Sequence, residues 1–143
     1  MNDCFSGCIN LISIDMTYLN LKNNRCFMNF FKDDYNLKEV KFPIEAFDNI
    51  YWFYRMFYGC KSLTSIDMSL VSNYNGGTFY EMFYGCTNLK SIKLNSFTKA
   101  CTTCPRYDMF KGIPPNFSIS IHTNFYETIK EQFGNETNVT IIT

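Results

Sequence analysis

Residues 82–94 read MFYGCTNLKSIKL, and residues 56–68 read MFYGCKSLTSIDM. The two segments lie 26 positions apart and share the order of their aromatic, glycine, cysteine and aliphatic residues. A fixed period of this length is typical of repeat architectures, in which each unit buries its apolar side against the next unit. The near-identity therefore predicts a stack of similar units.

The period extends over most of the chain. Steps of one period towards the N-terminus keep four columns apolar, and a step longer by one position continues the pattern to residue 121. The clearest column consists of Phe5, Phe31, Phe57 and Phe83. The sequence predicts a repeat array over 1–121 and a C-terminal cap over 122–143. The predicted units lie near 1–26, 27–52, 53–78, 79–104 and 105–121.

The first half of each unit has a helical pattern. The apolar residues of TFYEMFYGC (residues 78–86) recur at i, i+3 and i+4, which predicts a short helix. Thr78 and Glu81 match a capping box at its start. Gly85 stands where a left-handed residue would end the helix. Asp33 replaces this glycine in the second unit and predicts a different helix end there.

The second half of each unit reads as a strand, because apolar residues alternate there. The predicted strands are Leu11–Met16, Leu37–Phe42, Leu63–Met68, Leu89–Leu94 and Phe117–Ile121. Residues 124–135 predict an amphipathic helix, and NVTIIT predicts a last strand. The expected fold is an α/β repeat: a solenoid of about five helix–strand coils, with one parallel sheet along one side and a helix–strand cap.

Composition limits the classes of partner. Thirteen basic and thirteen acidic residues cancel, so no overall field attracts nucleic acid. The apolar runs are too short for a transmembrane helix.

The N-terminus, MNDCFSGCIN, lacks the regions of a secretory signal, which predicts an intracellular chain or a piece of a longer precursor. Met1 already falls in the column of Phe27, so the N-terminal coil is expected to pair with another repeat or chain.

Cys101 and Cys104 form the one motif that suggests enzyme chemistry. A C-x-x-C pair serves in thiol-redox proteins or supplies half of a zinc site. Zinc needs four ligands, however, and the single histidine, His122, lies in another segment. A solvated loop is the favoured interpretation. Cys8, Cys60 and Cys86 share a repeat column and are expected to be small buried thiols, and a disulfide between Cys60 and Cys86 is not expected. No catalytic residue, metal or cofactor is predicted.

Outward positions on the predicted strands are the candidate binding sites. One column alternates in charge from strand to strand, which predicts either a ladder that fixes the register or a polar binding face. Trp52, the only tryptophan, is a candidate contact hot spot, although packing between coils is the alternative. The candidate residues are Ser13, Asp15, Glu39, Lys41, Ser65, Asp67, Ser91, Lys93 and Trp52.

The segment MFYGCKSLTSIDMS, with its period of 26, resembles the BspA-like leucine-rich-repeat proteins. The resemblance covers residues 1–121 and implies a leucine-rich-repeat solenoid. It also implies a group common on the surfaces of bacteria and parasitic protists, as adhesins and host-interaction proteins. The expected function is thus a non-catalytic protein–protein or protein–glycan interaction module of a surface or secreted protein. The alternatives are an intracellular scaffold or regulatory protein, and a thiol-redox or metal protein that uses Cys101 and Cys104.

Overall fold

The computed structural model describes residues 2–21, 23–43, 52–71, 77–98 and 108–143. The fold is α/β, with short parallel strands, turn segments in the described ranges between them and a helix near the C-terminus. The strands are β1 (Ser13–Asp15), β2 (Glu39–Lys41), β3 (Ser65–Asp67), β4 (Ser91–Leu94), β5 (Ser118–His122) and β6 (Asn138–Ile142). The helix α1 (Thr123–Ile129) continues into a 3₁₀ turn, Lys130–Gln132.

The strand register follows the sequence period. Ile14 lies opposite Val40 in the β1–β2 pair, and Ile66 lies opposite Ile92 in the β3–β4 pair. Each of these pairs joins residues that are one period of the sequence apart. In the β4–β5 pair Ile92 faces Ile119, which is one position beyond the period, as the longer step predicts. The register of these three strand pairs therefore agrees with the predicted steps.

The prediction of one continuous sheet is wrong. Strands β1 and β2 form a two-stranded sheet, and β3 to β6 form a separate four-stranded sheet in chain order. The second and third units still touch through their turn segments, where the Asp33 N–H donates to the Tyr58 carbonyl oxygen at 2.7 Å. Phe42, the residue that follows β2, is buried there and packs edge-on against Phe57.

The prediction of a helix in each unit is also wrong, because these segments form turns. Alternate N–H groups bond across to the next unit: Phe57 donates to Met82 and Gly59 donates to Tyr84, at 2.9 and 2.8 Å. The intervening N–H groups bond to the carbonyl three residues back, as Tyr58 does to Arg55. An α-helix would keep all of these donors within its own segment. Bonding between units thus replaces bonding within a helix.

Left-handed backbone recurs twice in each turn segment. Gly59 and Gly85 have φ of +74° and +73°, as predicted for the residue that ends the turn. Asp33 occupies the same place with φ of +62°, so the different end predicted there is wrong: aspartate tolerates this conformation. The second left-handed position holds Arg55 and Glu81, at φ of +50° and +51°, which rules out the predicted capping box and helix start.

Phenylalanine rings form the centre of the core. Phe5 stacks on Phe31, Phe31 on Phe57 and Phe57 on Phe83, with centroids 5.6, 5.5 and 5.5 Å apart. Phe110 extends the row at 6.0 Å from Phe83. The predicted column therefore lies in one row. Phe31, Phe57 and Phe83 are fully buried, whereas Phe5 is partly exposed.

The C-terminal elements match the prediction. Helix α1 buries Phe125 and Ile129, and Phe133 stacks on Phe110 with centroids 5.4 Å apart. Strand β6 lies parallel to β5 and extends its sheet by one strand. Within the described ranges, no helix has the length and apolar content needed to cross a lipid bilayer.

Candidate binding sites

The structure brings the predicted sheet-face residues together in two groups rather than one. Ser13 lies opposite Glu39 and Asp15 opposite Lys41 in the first sheet. In the second sheet Ser65 lies opposite Ser91, and Asp67 lies opposite Lys93. Seven of these eight side chains are exposed and Ser91 is half-buried, because the buried isoleucine and valine positions alternate with them.

The charged residues of the sheet face pair with each other. Lys93 Nζ lies 2.8 Å from Asp67 Oδ2, and Lys41 Nζ lies 3.5 Å from Asp15 Oδ2. Partial burial acts to raise the pKa of Asp67, but hydrogen bonds from Lys93 and Ser69 outweigh it and hold the pKa below its ordinary value. These contacts support the ladder interpretation, since cross-strand partners already occupy the charges.

A groove lies between the two sheets. It has a volume of about 310 Å³, and its lining includes Glu39, Lys41 and Asp67 together with Phe42 and Leu70. Its charged residues Lys41 and Asp67 are already paired, whereas Glu39 has no ion pair among the described residues. The groove therefore offers a partner one unpaired carboxylate beside charges that are used within the chain.

Trp52 lies apart from the sheet face, in a turn segment. Its backbone forms parallel bridges to Cys26 on one side and Thr78 on the other, each one period away. The residue is 49% exposed, so it is available for contact with another molecule. Trp52 therefore belongs to a second surface, which is separate from the strands.

That second surface, called the aromatic groove here, is lined among the described residues by Met28, Trp52, Tyr54, Thr78 and Tyr80. Its volume is about 580 Å³, and its lining is mainly apolar. Two repeat columns build it: one runs from Met28 through Tyr54 to Tyr80, and the other from Trp52 to Thr78. The larger volume and the apolar lining make it the stronger binding candidate.

Stacked tyrosines hold one wall of the aromatic groove. The Tyr54 and Tyr80 rings are nearly parallel, at 8°, with centroids 5.2 Å apart. The guanidinium carbon of Arg55 lies 4.8 Å from the Tyr54 centroid and 5.9 Å from that of Tyr80. Arg55 Nε also donates to Glu81 Oε2 at 2.5 Å. The negative charge of Glu81 raises the pKa of Tyr80, so this tyrosine stays neutral at physiological pH.

Sequence analysis missed the tyrosines of this surface. Tyr54 and Tyr80, like Tyr58 and Tyr84, stand one period apart in the printed sequence, so the signal was present. Tyr58 and Tyr84 also stack, with centroids 4.9 Å apart. The prediction placed binding on the strands and treated the turn segments as core. The burial of Phe53, Met56 and Phe57 follows the predicted spacing, so the side chains between them, Tyr54 and Tyr58, are the ones left partly exposed.

The described cysteines do not form a reactive site. Cys60 and Cys86 are buried free thiols that donate to the Phe31 and Phe57 carbonyl oxygens, each at 3.0 Å, and burial raises the pKa of both. Cys8, predicted to be buried in the same column, is exposed. Cys101 and Cys104 lie outside the described residues. Within the described residues, no group of three or more histidine, cysteine, aspartate or glutamate side chains could hold a metal ion.

Asp34 occupies the cysteine column in the second unit. Its carboxylate is fully buried, and Oδ1 accepts from the Cys8 N–H at 2.7 Å. Its other oxygen is buried without a hydrogen-bond partner among the described residues. Burial is the main cause that raises the pKa of Asp34 to about 6, and the bond from Cys8 opposes it. The structural role of this carboxyl is to join the first unit to the second.

Comparison with known proteins found no matching family model, no matching curated protein and no matching solved structure. The resemblance of residues 1–121 to the BspA-like repeats therefore stays a prediction.

Proposed function

We propose that the chain is a non-catalytic interaction module, built as a leucine-rich-repeat solenoid of the BspA-like type. It would bind a protein or glycan as part of a surface or adhesion protein. The stacked rings of Phe31, Phe57 and Phe83 support the solenoid, as does the strand register of one period. A stack of this kind presents continuous columns of side chains, which suit contact with an extended partner.

The aromatic groove is the observation that carries this proposal. It combines an exposed tryptophan with two stacked tyrosines, and such residues are enriched among the anchors of protein interfaces. The paired charges of the sheet face make it the weaker candidate for the contact. Backbone bridges to Cys26 and Thr78 position the main chain of Trp52 beside the tyrosine column.

The proposal is tested by probing the 143-residue chain against an array of extracellular-matrix proteins and glycans. We expect saturable binding that is lost in Trp52→Thr, a variant that copies the neighbouring residue Thr78. Lys93→Gln on the sheet face is the matched control and should bind like the wild type. If Lys93→Gln lost binding while Trp52→Thr retained it, the binding site would lie on the sheet face instead. If no protein or glycan on the array bound the chain saturably, that result would contradict the proposed interaction function.

A further inference from the structure

We propose that the aromatic groove binds a proline-rich segment of a partner protein in the polyproline II conformation. This inference rests on the interaction function proposed above and names the chemistry of the partner. Three features of the groove lead to it: the spacing of its columns, its neutral charge and its hydrogen-bonding groups.

The spacing of the groove matches the repeat of a polyproline II helix. The column from Met28 through Tyr54 to Tyr80 covers two steps between units, and the second step separates the ring centroids by 5.2 Å. Two such steps span about 10 Å. A polyproline II helix repeats every three residues, or about 9.3 Å. Prolines at i and i+3 would therefore meet the first and third members of this column.

The charge around the groove favours an uncharged partner. Four cations lie over tyrosine rings of the described turn segments, at Lys32, Arg55, Lys61 and Lys111, and only Arg55 lies over rings that line the groove. Arg55 pairs with Glu81. The charge beside the groove is thus already neutralised, and a partner that brings a charge to it would lose hydration without gaining a free counter-charge there.

The hydrogen-bonding groups of the groove are able to donate, although its tyrosine hydroxyls are also able to accept. The indole of Trp52 is a donor only, and the Tyr54 hydroxyl is able to donate. Proline residues present carbonyl acceptors and no N–H, and a polyproline II segment has no internal hydrogen bonds. Donors beside an apolar floor therefore complement such a segment, as in other aromatic-lined grooves that bind it.

The hydrogen-bonding groups of the groove also make a sugar a poorer fit than a proline-rich segment. Sugar hydroxyls donate as well as accept, so a sugar site needs accessible acceptors. Glu81, the carboxylate that adjoins Tyr80, is only 8% exposed and is bound to Arg55. Thr78 is 5% exposed. The carboxylate and the threonine hydroxyl next to the rings are thus covered, and the tyrosine hydroxyls are the acceptors that remain.

The experiment titrates a ten-residue proline peptide into the 143-residue chain, up to about 1 mM. Trp52 is the only tryptophan, so its fluorescence reports on the groove alone. We expect a saturable shift of its emission, and no shift with a ten-residue Gly-Ser peptide. The double variant Tyr54→Met/Tyr80→Met copies Met28 of the same column and should bind at least tenfold more weakly. Lys93→Gln should bind like the wild type.

Circular dichroism establishes that each variant is folded. If the double variant does not fold, Trp52→Thr measured by calorimetry takes its place, with the same expected loss. Equal binding of both peptides, or unchanged affinity in the folded variants, would overturn the proline-rich partner. A Trp52 shift with an oligosaccharide in place of the proline peptide would overturn it too, as would a concentration-dependent shift from self-association. In all these cases, binding on the array that is lost in Trp52→Thr would leave the interaction function intact.

Discussion

The Phe57 and Phe83 rings stack almost parallel, at an interplanar angle of 2° with centroids 5.5 Å apart. Both side chains are fully buried, and Phe31 covers the other side of Phe57 at 5.5 Å. Each ring of the row thus fills space between two units rather than within one. Loss of a ring in the middle of the row would leave a cavity that faces both neighbours.

We therefore expect Phe57→Ala to lower the free energy of unfolding by about 3–5 kcal/mol, measured by urea denaturation. Tyr18→Ala is the control, because Tyr18 is 96% exposed and its loss should change stability by less than about 0.5 kcal/mol. A loss below about 1 kcal/mol for Phe57→Ala would show that the row of rings is not the packed core.

Alanine substitutions at Gly59 and Gly85 separate the energetic cost of a left-handed backbone from the cost of a steric clash at the new Cβ. Both have φ near +73°, but a Cβ on Gly59 would lie 2.6 Å from Asp33 Oδ1, whereas one on Gly85 would have its nearest neighbour at 3.8 Å. Gly85→Ala should cost about 1–2 kcal/mol for the left-handed backbone alone. Gly59→Ala should cost more, because Asp33 must also move.

The close approach of Gly59 to Asp33 is tested by repeating Gly59→Ala in an Asp33→Gly background. There the penalty should fall to that of Gly85→Ala, and chemical denaturation of the four proteins measures the coupling. Equal penalties for the two alanine variants in the wild-type background would show that the second and third units do not approach each other as described.

The charge ladder on the sheet face is predicted to be weak and sensitive to salt. Lys93→Asp places a second carboxylate beside Asp67 and should lower stability by about 0.2–1 kcal/mol. The penalty should shrink in 1 M salt, where the Debye length is about 3 Å. Lys41→Asp should have a smaller effect, since Lys41 lies farther from its partner Asp15. Lys93→Gln separates loss of the pair from repulsion, and a penalty that salt does not change would exclude the electrostatic ladder.

The buried carboxyl of Asp34 should make stability depend on pH. Its pKa is near the ordinary 3.8 in the unfolded chain and about 6 in the folded protein, so the folded state holds its proton more tightly. This contribution to stability is fully present below about pH 4 and is lost as the pH rises through about 6. Thermal unfolding of the wild type should therefore shift to lower temperature between about pH 4 and 6.5.

Asp34→Asn is the matched variant, because the amide oxygen still accepts from the Cys8 N–H but does not titrate. We expect a flatter dependence of its melting temperature on pH in the same window. Asp34→Cys introduces the residue type that Cys60 and Cys86 supply in the same column. It should also flatten the dependence of the melting temperature on pH. Identical pH profiles for the wild type and both variants would show that Asp34 is not buried as a neutral acid.

The period of the repeat predicted the neighbours within each sheet and along the row of rings, but it also paired β2 with β3, which lie in different sheets. It indicated the strand partners Ile14 and Val40, the row through Phe57 and the continuation of the stack, because stacked units place equivalent positions side by side. The same period contained the tyrosine columns at Tyr54 and Tyr80. These went unused, because the spacing i, i+3, i+4 was interpreted as a helix with its outward side exposed to solvent.

The sequence by itself determined the neighbours within each sheet and along the row of rings, since equivalent positions of successive units meet there. The tertiary structure alone decided the backbone: alternate N–H groups of each turn segment bond to the next unit, and no local pattern contains those acceptors. It also decided where the sheet divides, between β2 and β3. The aromatic groove follows from both, because the sequence supplies its columns and bonding between units sets the equivalent residues side by side.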